Sequence, residues 1–245
     1  MKRVMLVVAY DGSACHGWQL QPGKRTVESE LNQALSGLLK EDIQVTGASR
    51  TDSGVHALCN VAVFDTASRI PGEKFSYALN QRLPEDIRIQ SSREVAPDFH
   101  PRHCDSRKTY EYRILNREFP LPTKRLYAYF TYTPLDVEKM KRAAEFLVGE
   151  HDFASFCSAS SSAVSTVRRI YELTVEKEGD EIVIRVCGNG FLYNMVRIIA
   201  GTLMEAGCGR RRPEEMADIL AAKNRCAAGP TAPACGLTLV KYEFL

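Results

Sequence analysis

The sequence predicts an α+β fold with a largely antiparallel sheet, and three observations carry that prediction. Strand-like and helix-like patterns are mixed along the chain without strict βαβ alternation. Tyr171, Leu173 and Val175 alternate into the turn Glu178-Gly179-Asp180, and Ile182, Ile184 and Val186 alternate out of it, which is the pattern of a hairpin. No low-complexity linker separates the patterned segments.

The elements follow in order. Residues 4–10 form an apolar run of strand length, far too short to cross a membrane, and end at the turn Asp11-Gly12-Ser13. Thr26 is placed to cap a helix. Glu28 and Glu30 occupy its favourable first turn, and Val27, Leu31, Ala34, Leu35 and Leu38 share one face. Short strands over 44–47 and 59–65 bracket the polar segment 48–56. A second helix over about 72–81 stops before Pro84. Residues 108–115 alternate, with Tyr110, Tyr112 and Ile114 on one side. Thr133-Pro134 is expected to open a helix whose apolar face is Val137, Met140, Ala144 and Leu147, with Gly149 as its C′ residue. After the hairpin come an apolar helix over 191–206, a shorter one from Pro213, and a last strand over 237–244. This order fits two similar α+β halves, drawn as 1–105 and 106–245.

Composition limits the function classes. Lys+Arg is 32 against Asp+Glu at 30, a net charge of +2, which excludes a histone-like polycation. It leaves open a basic face built from local clusters: Arg102, Arg107 and Lys108; Arg168 and Arg169; Arg210, Arg211 and Arg212. Each cluster is either a solvated surface or a phosphate-binding one, and convergence of several would favour the second. The eight cysteines are scattered with no C-x-x-C pair and no signal peptide ahead of them, so a reduced, cytoplasmic location is expected.

Two places break the local rules. The segment Ser49-Arg50-Thr51-Asp52-Ser53-Gly54-Val55-His56 packs an acid, a base, three hydroxyls and an imidazole between two apolar strands. It reads as a capped surface loop or as a reactive one. Arg197 is the only charged residue between Arg185 and Glu205. It either snorkels to solvent or, if buried, requires an anionic partner. Asp52 is the nearest suspect by character, since an arginine beside a buried Asp offsets the burial that raises its pKa and keeps a nucleophilic carboxylate ionised.

His56-x-x-Cys59 and His100-x-x-His103-Cys104 hold metal-ligand side chains, but neither has the paired spacing of a structural zinc site, and no metal is expected. No G-x-x-x-x-G-K-[ST], strand-linked G-x-G-x-x-G or G-x-S-x-G motif is present, so neither a nucleotide cofactor nor a serine hydrolase is indicated.

The loop Arg50-Thr51-Asp52-Ser53-Gly54-Val55-His56-Ala57 resembles the catalytic signature of the tRNA pseudouridine synthase A family. Further motifs of that family follow in order. They are Tyr10-Asp11-Gly12-Ser13 with Gly17-Trp18-Gln19, Asn80 with Leu83-Pro84-Glu85-Asp86-Ile87, Phe99-His100-x-Arg102, and Arg107-x-x-Tyr110-x-Tyr112. Gly149-x-His151-Asp152-Phe153, Ser155-Phe156, Gly190-Phe191-Leu192, Met195-Val196-Arg197, and Thr231-Ala232-Pro233 with Gly236-Leu237 complete the series. Ser49 departs from the pattern, standing where a glycine is expected, and Cys15-His16 replaces a more apolar pair.

The resemblance implies the pseudouridine synthase fold, with two similar halves, a mixed and largely antiparallel sheet flanked by helices, and a central basic cleft. It implies a homodimer that isomerises uridine to pseudouridine at positions 38, 39 and 40 of the tRNA anticodon arm without cofactor or metal. It places the nucleophile at Asp52, the base-stacking tyrosine at Tyr110 and the arginine paired with the Asp at Arg197. Arg50 is implied to position RNA or displace the stacked base, and Leu237 to pack on the flipped base. Asp52 attacks either C1′ or the uracil ring, and the residues fit both routes. The competing readings are a tRNA-binding and folding protein that does not need Asp52, a metal-dependent hydrolase using His100, His103 and Cys104, and a purely structural protein.

Overall fold

The computed structural model describes residues 1–159 and 163–245. The chain divides into two compact units, one of Met1–Asp105 with Leu239–Leu245 and one of Ser106–Thr238.

In the first unit, β1 (Lys2–Tyr10) is followed by α1 (Val27–Leu39), the short β2 (Thr46–Gly47), β3 (His56–Thr66), α2 (Phe75–Asn80) and β4 (Ile87–Val95). β1 pairs antiparallel with both β3 and β4, and β2 adds to β3. Val4, Leu6 and Val8 alternate into a core that also takes Val27, Leu31 and Leu35 of α1, while Phe75 of α2 sits edge-on to Phe64 of β3 at 5.2 Å. The opposite face is also covered: Met5, Ala48, Val61 and Val63 pack with Val95, Phe99, Tyr242 and Phe244. Thr26 caps α1 as its sequence predicts, and Ser29 completes a reciprocal capping box. β3 begins at His56, three residues earlier than apolar periodicity suggests. Tyr10 pairs with Ala57 and draws that stretch into the ladder.

In the second unit the order is β5 (Ser106–Asn116), β6 (Tyr129–Thr131), α3 (Val137–Glu145), β7 (Gly149–Asp152), β8 (Val167–Glu178), β9 (Glu181–Gly188), α4 (Met195–Gly207) and α5 (Glu215–Ala222). The strands lie as β5-β9-β8-β7, antiparallel throughout, and only β6 runs parallel to β5. The predicted hairpin turn is present, with Gly179 at φ 63°. A bulge at Tyr171 shifts the register between Ile170 and Glu172, so Ile170 takes the buried position and Tyr171 is only half-buried.

Two helix starts differ from the sequence expectation. α3 is capped by Asp136, whose carboxylate accepts the Lys139 N–H, and not by Thr133-Pro134. The side chain of Asn116 holds the earlier segment, donating to the Thr131 and Thr133 carbonyls and accepting from Leu135 N–H. Gly149, at φ 112°, opens β7 instead of ending a helix. α4 starts at Met195 and not at 191, because Asn194 is left-handed at φ 61° and interrupts the helical path.

The last strand, β10 (Leu237–Phe244), begins in the second unit and from Leu239 onward belongs to the first, where it lies beside β3. Among the described residues no helix is long and apolar enough to cross a membrane.

Candidate active site

In the first unit, the loop between β2 and β3 is gripped on both sides of Asp52 by residues 10–18. Before Asp52, the Trp18 N–H donates to the Thr51 carbonyl at 3.0 Å, and the Thr51 hydroxyl shares a 2.7 Å hydrogen bond with the Tyr10 phenol. After Asp52, the Cys15 carbonyl accepts the Gly54 N–H at 3.3 Å and the Ser53 hydroxyl at 3.2 Å. The Val55 N–H closes a turn onto the Asp52 carbonyl at 3.1 Å. Asp52 is half-buried at the head of this arrangement.

Close backbone approach makes the grip possible. A Cβ at Gly12 would lie 2.0 Å from the Val55 carbonyl oxygen, and Gly17 takes φ 84° with its Cα against the Thr51 carbonyl. Buried Asn60 ties the layers together, donating to the Ser49 carbonyl at 3.0 Å and to the Tyr10 phenol at 3.2 Å. Burial pushes the Tyr10 phenol far above its ordinary pKa, so it remains a neutral hydrogen-bonding group.

His56 is buried, and its Nδ1 lies 3.1 Å from the Gly12 N–H and 3.1 Å from Asp11 Oδ1. A bare Nδ1 accepts from Gly12 and a protonated one donates to Asp11, so the two contacts ask opposite states of one atom. Asp11 is itself anchored by its N–H to the Asp86 carbonyl, and Asp86 is clamped bidentately by Arg25 at 2.7 and 2.8 Å. Arg50 has a basic neighbour. Arg102 donates to the Gly47 carbonyl at 2.7 Å, and its pKa is held down first by burial and then by the Arg50 charge.

In the second unit the fixed groups are Tyr110, Arg197 and the segment 229–237. Tyr110 is buried in β5 and meets Phe191 edge-on at 5.3 Å. Arg197, half-buried on the first turn of α4, donates from Nε to the Ala232 carbonyl at 2.7 Å and from a terminal nitrogen to Asn194 Oδ1 at 2.9 Å. The Ala232 N–H in turn donates to the Arg197 carbonyl at 3.0 Å. Tyr112 donates its hydroxyl proton to the Pro233 carbonyl at 2.9 Å. Leu237 is buried where this segment enters β10.

Arg50, Asp52 and His56 are thus neighbours on one held loop, while Arg197 and the chain leading to Leu237 are laced together in the other unit. Sequence reasoning gave no role to Asn194 or to the main chain of Gly12, Cys15, Trp18 and Ala232. The motif Tyr10-Asp11-Gly12-Ser13 marked part of that set. The Arg210–Arg212 run is engaged locally, with Arg211 on Glu205 and Arg212 on Glu215. His100 and His103 stack on each other at 3.9 Å, and the Cys104 thiol donates to the His100 carbonyl. Among the described residues no three His, Cys, Asp or Glu side chains gather as a metal site.

The fold is that of an α+β protein of the pseudouridine synthase class. A family model described as tRNA pseudouridine synthase matches residues 6–103 and 143–244. The chain belongs to that family, a family of isomerases. It is 49% identical over 244 residues to the tRNA pseudouridine synthase A of Thermoanaerobacter sp. (strain X514), covering 100% of each chain. The proteins of the same name in Brevibacillus brevis and Acetivibrio thermocellus are 51% and 48% identical, again over 100% of each chain. Among solved structures, a crystal structure of a Cbf5-Nop10-Gar1 complex aligns at TM-score 0.34 and 15% identity, over 82% of this chain and 53% of that one.

Proposed function

We propose that this chain isomerises uridine to pseudouridine at positions 38, 39 and 40 of the tRNA anticodon stem-loop, with the Asp52 carboxylate as nucleophile. The observation that carries the reading is the grip on Asp52: residues on both sides of it are fixed by main-chain and side-chain hydrogen bonds, while Asp52 itself is only half-buried. A group held in this way loses little freedom on reaction, and that is how positioning lowers a barrier. The full-length likeness to tRNA pseudouridine synthase A proteins supports the substrate class.

The reaction breaks the N1–C1′ bond, turns the uracil and joins C5 to C1′; the C5 proton is lost and N1 regains one. No oxidant or energy source enters the balance. The carboxylate divides this rearrangement into two easier covalent steps. The target base must leave the stem, at a cost of a few kcal/mol. Tyr110 stacks on it, Leu237 packs against it, and Arg50 engages the RNA in place of the displaced stacking. Arg197 is the catalytic arginine, its guanidinium oriented by Ala232 and Asn194. We assign the working form as a cytoplasmic homodimer that needs neither cofactor nor metal.

The test is pseudouridine formation in an unmodified tRNA transcript with no added metal, comparing wild type with Asp52→Asn. Product from the wild type alone is expected. Product from both proteins would remove Asp52 as nucleophile, and product from neither, with tRNA still bound, would make this a tRNA-binding protein.

A further inference from the structure

Two of the basic clusters in the sequence converge in the second unit, on a face that the chemistry above does not use. Arg107 of β5 and Arg169 of β8 both lay their guanidinium groups over the ring of Tyr171, at 4.6 and 5.9 Å from its centroid. Tyr171 is the extra residue of the β8 bulge, which turns it out of the alternating core. The backbone of Arg169 is pinned, since its N–H donates to Asn189 Oδ1 at 3.0 Å and its carbonyl accepts the Asn189 N–H at 3.1 Å.

Both arginines are exposed, and among the described residues neither has a carboxylate in ion-pair range. Arg113, Arg117, Arg185, Arg211 and Arg212 of the same unit each face one. Arg168, one residue away, turns instead to the Ser165 and Val167 carbonyls.

We propose that Arg107 and Arg169, held on Tyr171, bind two phosphodiesters of the RNA backbone, one at each guanidinium. Stacking on one ring restrains two exposed side chains that would otherwise sweep many rotamers. Each guanidinium presents a planar fork that takes the oxygens of one phosphate with bidentate hydrogen bonds. Arg107 stands three residues before Tyr110 on an alternating strand, so it points to the opposite face of the sheet. The contact therefore adds affinity at a distance from the target base. It rests on the tRNA reading above.

The experiment measures tRNA binding to wild type, Arg107→Gln, Arg169→Gln and the double variant over a series of KCl concentrations. It is paired with the single-turnover rate at saturating enzyme. Each arginine that meets a phosphate contributes about 0.7–0.9 to the slope of log K against log salt. The double variant is expected to lose about 1.5 of that slope and to bind about tenfold more weakly at moderate salt, with its saturated rate unchanged. The Arg107→Lys, Arg169→Lys double variant is expected to keep most of the slope, which separates charge from folding. An unchanged slope and Kd in the Gln double variant, with wild type binding normally, overturns the site alone. A fallen saturated rate at unchanged slope also overturns it. Failure of wild type to bind tRNA overturns both this site and the function it rests on.

Discussion

A methyl group at Gly12 tests whether the grip on the loop sets the reaction rate. The Gly12→Ala variant keeps the N–H that donates to His56, so only the added methyl changes. That methyl would stand 2.0 Å from the Val55 carbonyl oxygen and 2.6 Å from its carbon, whereas real Cβ contacts do not fall below 3.0 Å. Both partners are main chain and neither can swing aside, so the two segments must part by about 1 Å. Val55 closes its turn onto the Asp52 carbonyl, and the displacement passes to Asp52. A misplacement of about 1 Å at a reacting group costs about 100-fold in rate. Release of tritium from C5-labelled uridine, followed in a single turnover, reads the step directly. We expect a saturating rate about 100-fold below wild type with tRNA affinity nearly unchanged. Gly37→Ala is the control: nothing lies within 4 Å of its Cβ position on α1, so it should keep the rate and stabilise by about 0.5–1 kcal/mol. A folded Gly12→Ala protein within about threefold of the wild-type rate would refute the positioning argument.

Two further outcomes follow from the first unit. The Arg25 guanidinium holds the Asp86 carboxyl below its ordinary range, so this pair stabilises the fold above about pH 4 and is lost as pH falls through the lowered value. In calorimetry from pH 7 to pH 3, Asp86→Asn should start about 1–2 kcal/mol less stable and show a shallower acid decline; a parallel decline would contradict the linkage. The Ser49 hydroxyl is buried without a hydrogen-bond partner among the described residues. Ser49→Ala should therefore raise stability by about 1 kcal/mol in a thermal melt, and a loss of stability would show that the hydroxyl is satisfied.

Legibility in the sequence followed the range of the forces involved. The β8–β9 hairpin, the Thr26 cap and the span of β10 were readable because alternation, capping and turn chemistry act over a few residues. α3 starts later than its sequence predicts because Asn116, the last residue of β5, captures the Thr131 and Thr133 carbonyls and outweighs the local cap signal. The sequence predicts too early a start for α4 because Phe191 and Leu192 fit the helical period, while the left-handed turn at Asn194 leaves no periodic trace. At the site, the composition of the Asp52 loop was conspicuous. Its cradle was not, because the carbonyl of Cys15 and the N–H groups of Gly12 and Trp18 are main-chain groups whose partners lie about forty residues away. Any residue offers those groups, so side-chain identity carries little signal for them.

Arg197 shows the same logic from the side of the second unit. Within its own unit it is oriented by neutral oxygens, the Ala232 carbonyl and the Asn194 amide. Neutral acceptors in fixed positions set the direction of a guanidinium. In the role proposed for Arg197, a guanidinium whose dipolar surroundings are already arranged needs little reorganisation when negative charge develops near it, and that is where electrostatic catalysis gains most. The Asn194 amide also donates to Ser158, and its left-handed backbone delays the start of α4, so one residue sets both the helix boundary and the arginine's heading. The backbone irregularity that defeated the helix prediction is thus part of what aims Arg197. Restoring a regular helix start at that position should disturb the arginine before it disturbs the fold.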